Sequence, residues 1–305
     1  MDLLTIIVAL VSLFCIIGIG FAARKYGILN GNRVHLISHI LVSVSLPALS
    51  ITSLQVPETA KTMGIVDHML VVAIAYYLAA LVIGILLFRF IPCAPDEKGV
   101  FQFMLVFPNS MFMGIPVALA VLGPGSLFYV ILFNVPFYFL VFTLGVWLLA
   151  RGRPGKIDPK VLLSPGLVAA IVGLVLFMMQ YTIPAPVEYG LDLVGSATTP
   201  LAMLVVGAML ATLPLQQLAG DWRVYLVAAL RLLVFPIVAF LVLSPFVTDR
   251  LLLGTAVLLI AMPVAANTVL LCEEYNVDAK LGSQGVFIST VLCLVTIPVL
   301  ALLFL

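Results

Sequence analysis

The sequence predicts an all-α polytopic membrane protein with ten transmembrane helices in two inverted repeats of five. Three observations lead to this prediction. The chain of 305 residues is 64% hydrophobic and only 9% charged, its apolar runs have membrane-spanning length, and two proline-containing segments recur after about half the chain. A soluble globule of this size needs more polar surface than such a composition supplies. We therefore expect the chain to insert into a membrane.

About 20 apolar residues cross the hydrocarbon core of a bilayer, and a window of that length finds ten candidate spans. The first lacks a basic n-region and is too long for a cleaved signal, so we expect it to remain as a span. In order, spans 1 to 10 cover residues 3–23, 35–55, 68–91, 99–122, 125–149, 162–180, 187–212, 222–244, 250–273 and 281–304.

The basic residues predict the orientation. An even number of spans puts both termini on one side of the membrane, and cytoplasmic loops carry an excess of Lys and Arg. With the N-terminus outside, the outer loops hold only Lys61 and Arg250. We therefore predict a plasma-membrane protein with both termini extracytoplasmic. The inner loops then hold Arg24, Lys25, Arg33, Arg89, Lys98, Arg151, Arg153, Lys156, Lys160, Arg223 and Lys280.

Two motifs repeat along the chain. Leu46-Pro47-Ala48-Leu49 in span 2 matches Thr199-Pro200-Leu201-Ala202 in span 7, and Phe107-Pro108-Asn109 in span 4 matches Met262-Pro263 in span 9, with Asn267 four residues on. Because each half has five spans, the second copy enters the membrane inverted. The predicted organisation is a first repeat at 1–150, a short linker at 151–161 and a second repeat at 162–305. Inverted repeats with interrupted helices are typical of secondary transporters.

The two interrupted spans predict a binding site. Proline breaks a helix, and Asn or Ser caps the next one, so we expect breaks at Pro108 and Pro263. Non-helical backbone at membrane depth is tolerated where protein buries it or where it lines a cavity. If the breaks cross, two half-helix N-termini and two carboxamides would bind a small anion, most simply a carboxylate. The alternative is ordinary proline kinks with asparagines that hold helices together. The predicted substrate-binding residues are Pro108, Asn109, Ser110, Pro263, Asn267 and Thr268, of which Asn109 and Ser110 cap one half-helix and Asn267 and Thr268 the other.

Five further residues are candidates for cavity lining or support. Pro47 and Pro200 bend their spans or line the cavity, and Asn134 is equally compatible with holding helices together and with contacting a ligand. Arg231 is the basic residue well inside a span, where it could balance an anionic substrate, pair with a backbone carbonyl or extend towards the inner interface. We favour structural pairing. Glu273 ends span 9 as a solvated terminus or takes part in proton coupling.

The remaining chemistry argues against several other functions. The four cysteines are far apart without a CxxC pair, and His35, His39 and His68 lie near span ends, so we expect neither a disulfide framework nor a metal site. No serine and base, or pair of aspartates, stands at membrane depth as an intramembrane protease requires. A net charge of +1 gives no broad basic surface for nucleic acid. We expect no enzyme activity and no cofactor.

The chain resembles the auxin efflux carrier family, which includes the plant PIN-formed auxin carriers and bacterial dicarboxylate carriers. The resemblance rests on "PNSMFMGIP" from Pro108, "MPVAANTVLLCEEYNVD" from Met262, "LPAL" from Leu46 and "RLLVFP" from Arg231. It implies a crossing of the broken fourth and ninth helices, with the family's asparagines at Asn109 and Asn267. It also implies a scaffold domain from spans 1, 2, 6 and 7, a mobile transport domain from spans 3–5 and 8–10, a homodimer and elevator-type alternating access.

The linker of about ten residues is similar to that of prokaryotic members and unlike the long hydrophilic loop of the plant carriers. The expected function is thus efflux of small organic anions such as auxin-like or dicarboxylic acids, with proton or sodium as the open choices of coupling ion. Two alternatives remain: a membrane receptor or sensor for an organic anion, and a sodium-coupled symporter. The related bile acid and sodium symporter family uses acidic residues around its crossing, and this chain has no acid at that depth.

Overall fold

The computed structural model describes residues 3–56, 59–150, 163–212 and 221–304. The secondary-structure elements of these residues are helices, with no strand beyond one isolated β-bridge. The predicted linker at 151–161 lies outside the described residues. The helices are α1 (Leu3–Lys25), α2 (Gly31–Ile40), α3 (Leu46–Ser53), α4 (Ala60–Phe90), α5 (Pro95–Val106), α6 (Gly114–Leu122), α7 (Ser126–Leu140), α8 (Val146–Leu149), α9 (Pro165–Met178), α10 (Ala185–Ser196), α11 (Thr198–Leu210), α12 (Trp222–Ala229), α13 (Phe235–Leu243), α14 (Arg250–Ile260), α15 (Thr268–Glu274) and α16 (Ala279–Phe304), with π-helical turns at Leu41–Ser45, Val141–Gly145 and Leu230–Val234.

Seven segments of the described chain are long and apolar enough to cross a membrane, and they coincide with predicted spans 1, 2, 3, 5, 7, 8 and 10. Span 6 corresponds to the shorter apolar helix α9, and spans 4 and 9 are each broken into two helices. The all-helical, multi-pass membrane architecture is thereby confirmed, and the count of ten spans stays a prediction. The seven segments are Ile6–Lys25, Gly31–Ser53, Thr62–Phe90, Ser126–Leu149, Ala185–Leu210, Trp222–Leu243 and Ala279–Phe304.

The chain forms two compact units. The first comprises the described residues of Met1–Val71, Met111–Phe139 and Pro159–Thr212, and the second those of Val72–Ser110, Leu140–Asp158 and Leu213–Leu305. Spans 1, 2, 6 and 7 fall in the first unit, together with α6 and most of α7. The functional division into a scaffold and a transport domain stays a prediction.

Glycines let α1 and α11 approach closely in the first unit. A Cβ atom on Gly207 would collide with the carbonyl oxygen of Ile17, and one on Gly20 with that of Leu204. Membrane helices associate through such close packing, because lipid tails provide no hydrophobic drive between helices. Only glycine therefore fits at these two contact points.

The bends of spans 2 and 7 meet in the same unit. Pro47 follows the π-helical turn Leu41–Ser45, where the Leu46 amide bonds five residues back to Leu41. A proline ring would clash with the carbonyl four residues earlier, and the wider turn relieves this. In span 7 the helix is interrupted at Ala197, ahead of Pro200. The Ser45 and Thr198 hydroxyls, 153 residues apart, are hydrogen bonded at 2.8 Å.

An ion-pair cluster joins two helix starts in the second unit. Arg223 in α12 pairs with Glu97 in α5 at 2.9 Å and with Asp221 just ahead of α12. Its guanidinium also lies over the Phe101 ring, 4.8 Å from the centroid. The hydrogen bond from Arg223 lowers the pKa of the Asp221 carboxyl. The cluster ties the beginning of α5 to the beginning of α12.

A π-helical turn also precedes Pro236. The turn spans Leu230–Val234, and the Phe235 amide bonds to the Leu230 carbonyl five residues back. As in span 2, the proline two residues beyond the turn lacks an N–H and crowds the preceding carbonyl, which favours the wider turn. The turn carries Arg231, and π-helical turns are frequent at functional sites.

Candidate functional site

The two broken helices pair through extended backbone. Pro108 and Val264 form an antiparallel bridge. The backbone N–H of Asn109 donates to the Pro263 carbonyl at 2.8 Å, and the backbone N–H of Ala265 donates to the Phe107 carbonyl at 3.1 Å. The predicted break at Pro108 is confirmed, and the backbone there is extended. We call this pairing of residues 107–109 with residues 263–265 the crossover.

The predicted caps are only partly observed. In span 4 the helix resumes at Gly114 with Met113 at the cap position, so the prediction that Asn109 and Ser110 cap it is wrong. The backbone N–H of Asn109 instead bonds across to span 9, and a turn separates Asn109 from the next helix. In span 9, Asn267 does occupy the cap position of α15, although its side chain makes no capping hydrogen bond.

Arg231 holds both broken helices by their carbonyl groups. The side chain is fully buried. Its Nε donates to Met262 at 3.1 Å and reaches Pro263 at 3.4 Å, and Nη1 donates to Leu105 at 2.5 Å and reaches Met104 at 3.5 Å. Carbonyls in the last turn of a helix have no partner within the helix. Of the three roles considered for Arg231, pairing with backbone carbonyls is the observed one.

Tyr76 completes this arrangement. Its hydroxyl accepts a hydrogen bond from Arg231 Nη2 at 3.0 Å and donates to the Val106 carbonyl at 3.3 Å. Together, Arg231 and Tyr76 satisfy the carbonyls that α5 leaves open where it breaks. The sequence analysis missed Tyr76, although one signal was present: it precedes Arg231 by 155 residues, the spacing of Pro108 and Pro263.

Ser289 is a second supporting residue, to which the sequence alone assigns little weight. Its hydroxyl accepts the Val264 amide at 3.0 Å and donates to the Gly285 carbonyl in its own helix at 2.6 Å. The bridge leaves the Val264 amide without a backbone partner, so Ser289 supplies it. A serine in an apolar helix gives no sequence signal for such a role, because it can also bond its own helix.

The side chains of the two asparagines at the crossover differ in their environments. Asn109 is 3% exposed, and its Nδ2 is buried without a hydrogen-bond partner. Asn267 is half-buried at the start of α15. The hydroxyl of Thr268 is already engaged, donating to the Ala265 carbonyl at 2.6 Å. Buried donors nearly always have a partner, so Asn109 Nδ2 is the group most suited to an incoming acceptor.

The six predicted substrate-binding residues all lie in the second unit, where Pro108, Pro263 and Ser110 are buried. The supporting candidates are dispersed. Asn134 belongs to the first unit and donates to the Val130 carbonyl of its own helix at 2.8 Å. Pro47 and Pro200 also belong to that unit, at the bends already described. Glu273 is exposed at the end of α15.

A cavity of about 320 Å³ lies along α4 and α13 in the second unit. Its lining is almost wholly apolar, including Ala75, Ala79, Val238 and Val242, and Tyr76 is the lining residue with a polar side chain. Sites for charged ligands need convergent polar groups. The cavity therefore suits a carboxylate less well than the crossover does.

Comparison with known protein families decides the class. A family model described as membrane transport protein matches residues 5–160 and 155–301. The chain belongs to the membrane transport protein family. This family is of the auxin efflux carrier type, so the resemblance stated from the broken-helix motifs is confirmed.

Curated relatives of this membrane transport protein match nearly end to end. An "Uncharacterized transporter" of Methanocaldococcus jannaschii is 27% identical over 309 residues, covering 97% of this chain and 96% of the relative. A second, of Methanothermobacter thermautotrophicus, is 25% identical over 292 residues, covering 94% of each. A Rhizobium meliloti protein named "Putative malonate transporter" is 25% identical over 299 residues, covering 93% and 91%.

Proposed function

We propose that this membrane transport protein is a secondary carrier of small organic anions, dicarboxylates foremost, and that it binds them at the crossover. The observation that carries the proposal is the buried, unpartnered Nδ2 of Asn109 beside backbone that has left the helix. A carboxylate oxygen would give this donor a charge-assisted hydrogen bond. Asn267, half-buried four residues after Pro263, offers a second amide.

The distribution of charge supports an anion. The acidic residues of the two broken spans stand at their ends, in Asp96, Glu97, Asp249, Glu273 and Glu274. Between those ends the spans carry no carboxylate, and a buried arginine stands against both of them. Charges interact strongly where water is excluded, and a positive ligand would find no carboxylate partner between those ends.

Three contacts support the inverted five-helix repeat. Ser45 bonds Thr198 at a separation of 153 residues, and Tyr76 bonds Arg231 at a separation of 155. The third, between Pro108 and Val264, is antiparallel. Equivalent residues of two inverted copies meet on the axis that relates the copies, and they do so in antiparallel directions. Ten spans with the crossover near the midplane follow from this repeat.

The remaining features of the proposal come from family resemblance and charge. The malonate in the name of the Rhizobium meliloti relative makes dicarboxylates the first substrates to test, with indole acids second. We place the carrier in the plasma membrane as a homodimer with extracytoplasmic termini. One domain would move as a rigid body to give elevator-type access. Export would be favoured in a negative-inside cell, because an expelled anion moves down that field.

Flux measurements in proteoliposomes test the proposal. We expect saturable malonate or indole-3-acetate flux, with KM raised at least about tenfold in Asn109→Ala and Asn267→Ala. Hydrogen bonds to charged groups contribute about 1.5–3 kcal/mol, and a tenfold change corresponds to about 1.4 kcal/mol. Thr290→Val is the control, because this buried hydroxyl donates only within its own helix, to Val286. Its KM should match that of the unmodified carrier.

Two results would replace the proposal with an alternative. Saturable binding without flux under any gradient would make the protein a receptor or sensor. Flux that requires sodium would make it a sodium-coupled symporter. Unchanged KM in both asparagine variants would move the substrate away from the crossover.

A further inference from the structure

The guanidinium of Arg231 sits where a bound cation would otherwise be needed. Five oxygens surround it: the backbone carbonyls of Met104, Leu105, Met262 and Pro263 and the hydroxyl of Tyr76. Oxygens of this kind, arranged around one point, are the ligands that hard cations prefer. In the part of the chain that the structure describes, no carboxylate pairs with Arg231.

Helix electrostatics explain why a cation is needed there. α5 ends at Val106 and α14 at Ile260. Carbonyls from the last turn of α5 and from the residues just beyond the end of α14 face Arg231. Each helix C-terminus is equivalent to roughly half a negative charge. Without a cation, these two ends would repel an anion from the crossover and leave buried carbonyls unsatisfied. One permanent positive charge offsets both.

One carbonyl group connects this cluster to the candidate ligand site. The Pro263 oxygen accepts the Asn109 amide at 2.8 Å and lies 3.4 Å from Arg231 Nε. Any shift of the guanidinium is therefore transmitted to the backbone of Asn109 through a shared acceptor. Nε, Nη1 and Nη2 of Arg231 each donate to an oxygen of the protein, so we assign it to positioning the site and not to binding the substrate.

We propose that Arg231 is the built-in counter-cation of the crossover, taking the place of a bound alkali ion, so that the site binds anions without sodium. The inference takes its bound anion from the proposed function. The role of Arg231 as a cation does not depend on that function. The guanidinium serves because its planar fork donates in several directions at once, whereas an ammonium is a compact point charge. Because the guanidinium is part of the side chain, it cannot dissociate from the site as a bound ion can.

The test compares three variants and one control variant with the unmodified carrier in sodium and in choline buffers. Arg231→Ala should lower the melting temperature by about 5 °C or more, since several buried acceptors lose their donor at once. It should also raise the malonate KM at least about tenfold. Millimolar guanidinium or sodium should return the melting temperature and the malonate KM of this variant a substantial part of the way to the values of the unmodified carrier. The melting temperature and malonate KM of Arg231→Lys should lie between those of Arg231→Ala and the unmodified carrier, because lysine keeps the charge and lacks the planar fork.

Tyr76→Phe protects the test against a variant that fails to fold. It removes one of the five oxygens and leaves the charge, so we expect a raised KM of about threefold with little change in maximal flux. The unmodified carrier should have the same melting temperature and the same flux in sodium as in choline. Thr290→Val, tested in parallel, should show no response to guanidinium.

Specific results would overturn the inference. A sodium requirement in the unmodified carrier would show that Arg231 does not replace the ion. Full stability and an unchanged KM in Arg231→Ala, or no response of any Arg231 variant to guanidinium or sodium, would show that the charge is dispensable or purely a packing element. If the unmodified carrier moves no organic anion, the proposed function fails, and the melting temperatures still decide whether Arg231 acts as the cation.

Discussion

At the crossover, Arg231 and Asn109 perform separate tasks. Arg231 uses its donors on backbone carbonyls and Tyr76, whereas Asn109 keeps a buried Nδ2 without a partner. Sequence alone identifies both residues, because a charge and an amide are conspicuous inside apolar spans. It cannot say which of them meets a ligand, since backbone carbonyls, the partners of Arg231, leave no mark in the sequence.

Ser289 gives a prediction at this scale. Ser289→Ala should destabilise the protein by about 1–3 kcal/mol, because the buried Val264 amide loses its acceptor. Thermal unfolding in detergent measures the effect. Thr290→Val is the neighbouring control and should be near neutral, since its hydroxyl bonds a carbonyl within its own helix. Equal losses in the two variants would contradict the assigned role of Ser289.

Among the elements, the two breaks and the restart after Pro263 were predictable, and the restart after Pro108 was not. Pro108 and Pro263 have no backbone donor, so each marks the end of a helix. The restart after Pro108 depends on a partner 155 residues away, because pairing with Pro263 takes the Asn109 amide and delays α6 to Gly114. Local capping rules do not include such a partner. The π-helical turn at Leu230–Val234 escaped prediction for a related reason: Pro236 permits it, and packing selects it.

The packing of α1 against α11 gives a prediction for helix pairs. Gly207→Ala should destabilise the protein by about 1–3 kcal/mol, because the added methyl collides with the backbone of α1. Gly18→Ala is the control in α1, where a Cβ meets nothing within 4 Å. Alanine is the better helix former by about 0.5–1 kcal/mol, so this variant should be neutral or more stable. Denaturation midpoints in detergent compare the two, and a stable Gly207→Ala would contradict the close approach.

For the whole molecule, composition and span length were enough to predict a multi-pass helical membrane protein. Seven of the ten predicted spans recur as long apolar segments. Of the other three, span 6 is a shorter apolar helix. Spans 4 and 9 are broken, and each is completed by two half-helices that no single window measures. The composition of the two units could not be read from the sequence, because it depends on contacts between distant spans.

Orientation gives the prediction at this scale. In a background where the other cysteines are replaced, Cys93 should resist a membrane-impermeant maleimide in right-side-out vesicles until they are permeabilised, since it lies between Arg89 and Lys98 on the predicted inner side. A cysteine at the exposed Thr248, in the loop between spans 8 and 9, should react at once. The opposite labelling pattern would show that the chain has the inverse orientation in the membrane.

The contact between Tyr76 and Arg231 bears on how such a chain could arise. Two identical five-helix proteins, paired about an axis, would place the same side chain on both sides of it. Two arginines there would repel, and two tyrosines would leave the helix ends without a cation. A single chain that holds both halves can vary each side separately. In the proposed inverted repeat, the hydrogen bond between these two residues, 155 positions apart, therefore requires a fused or unlike pair of halves.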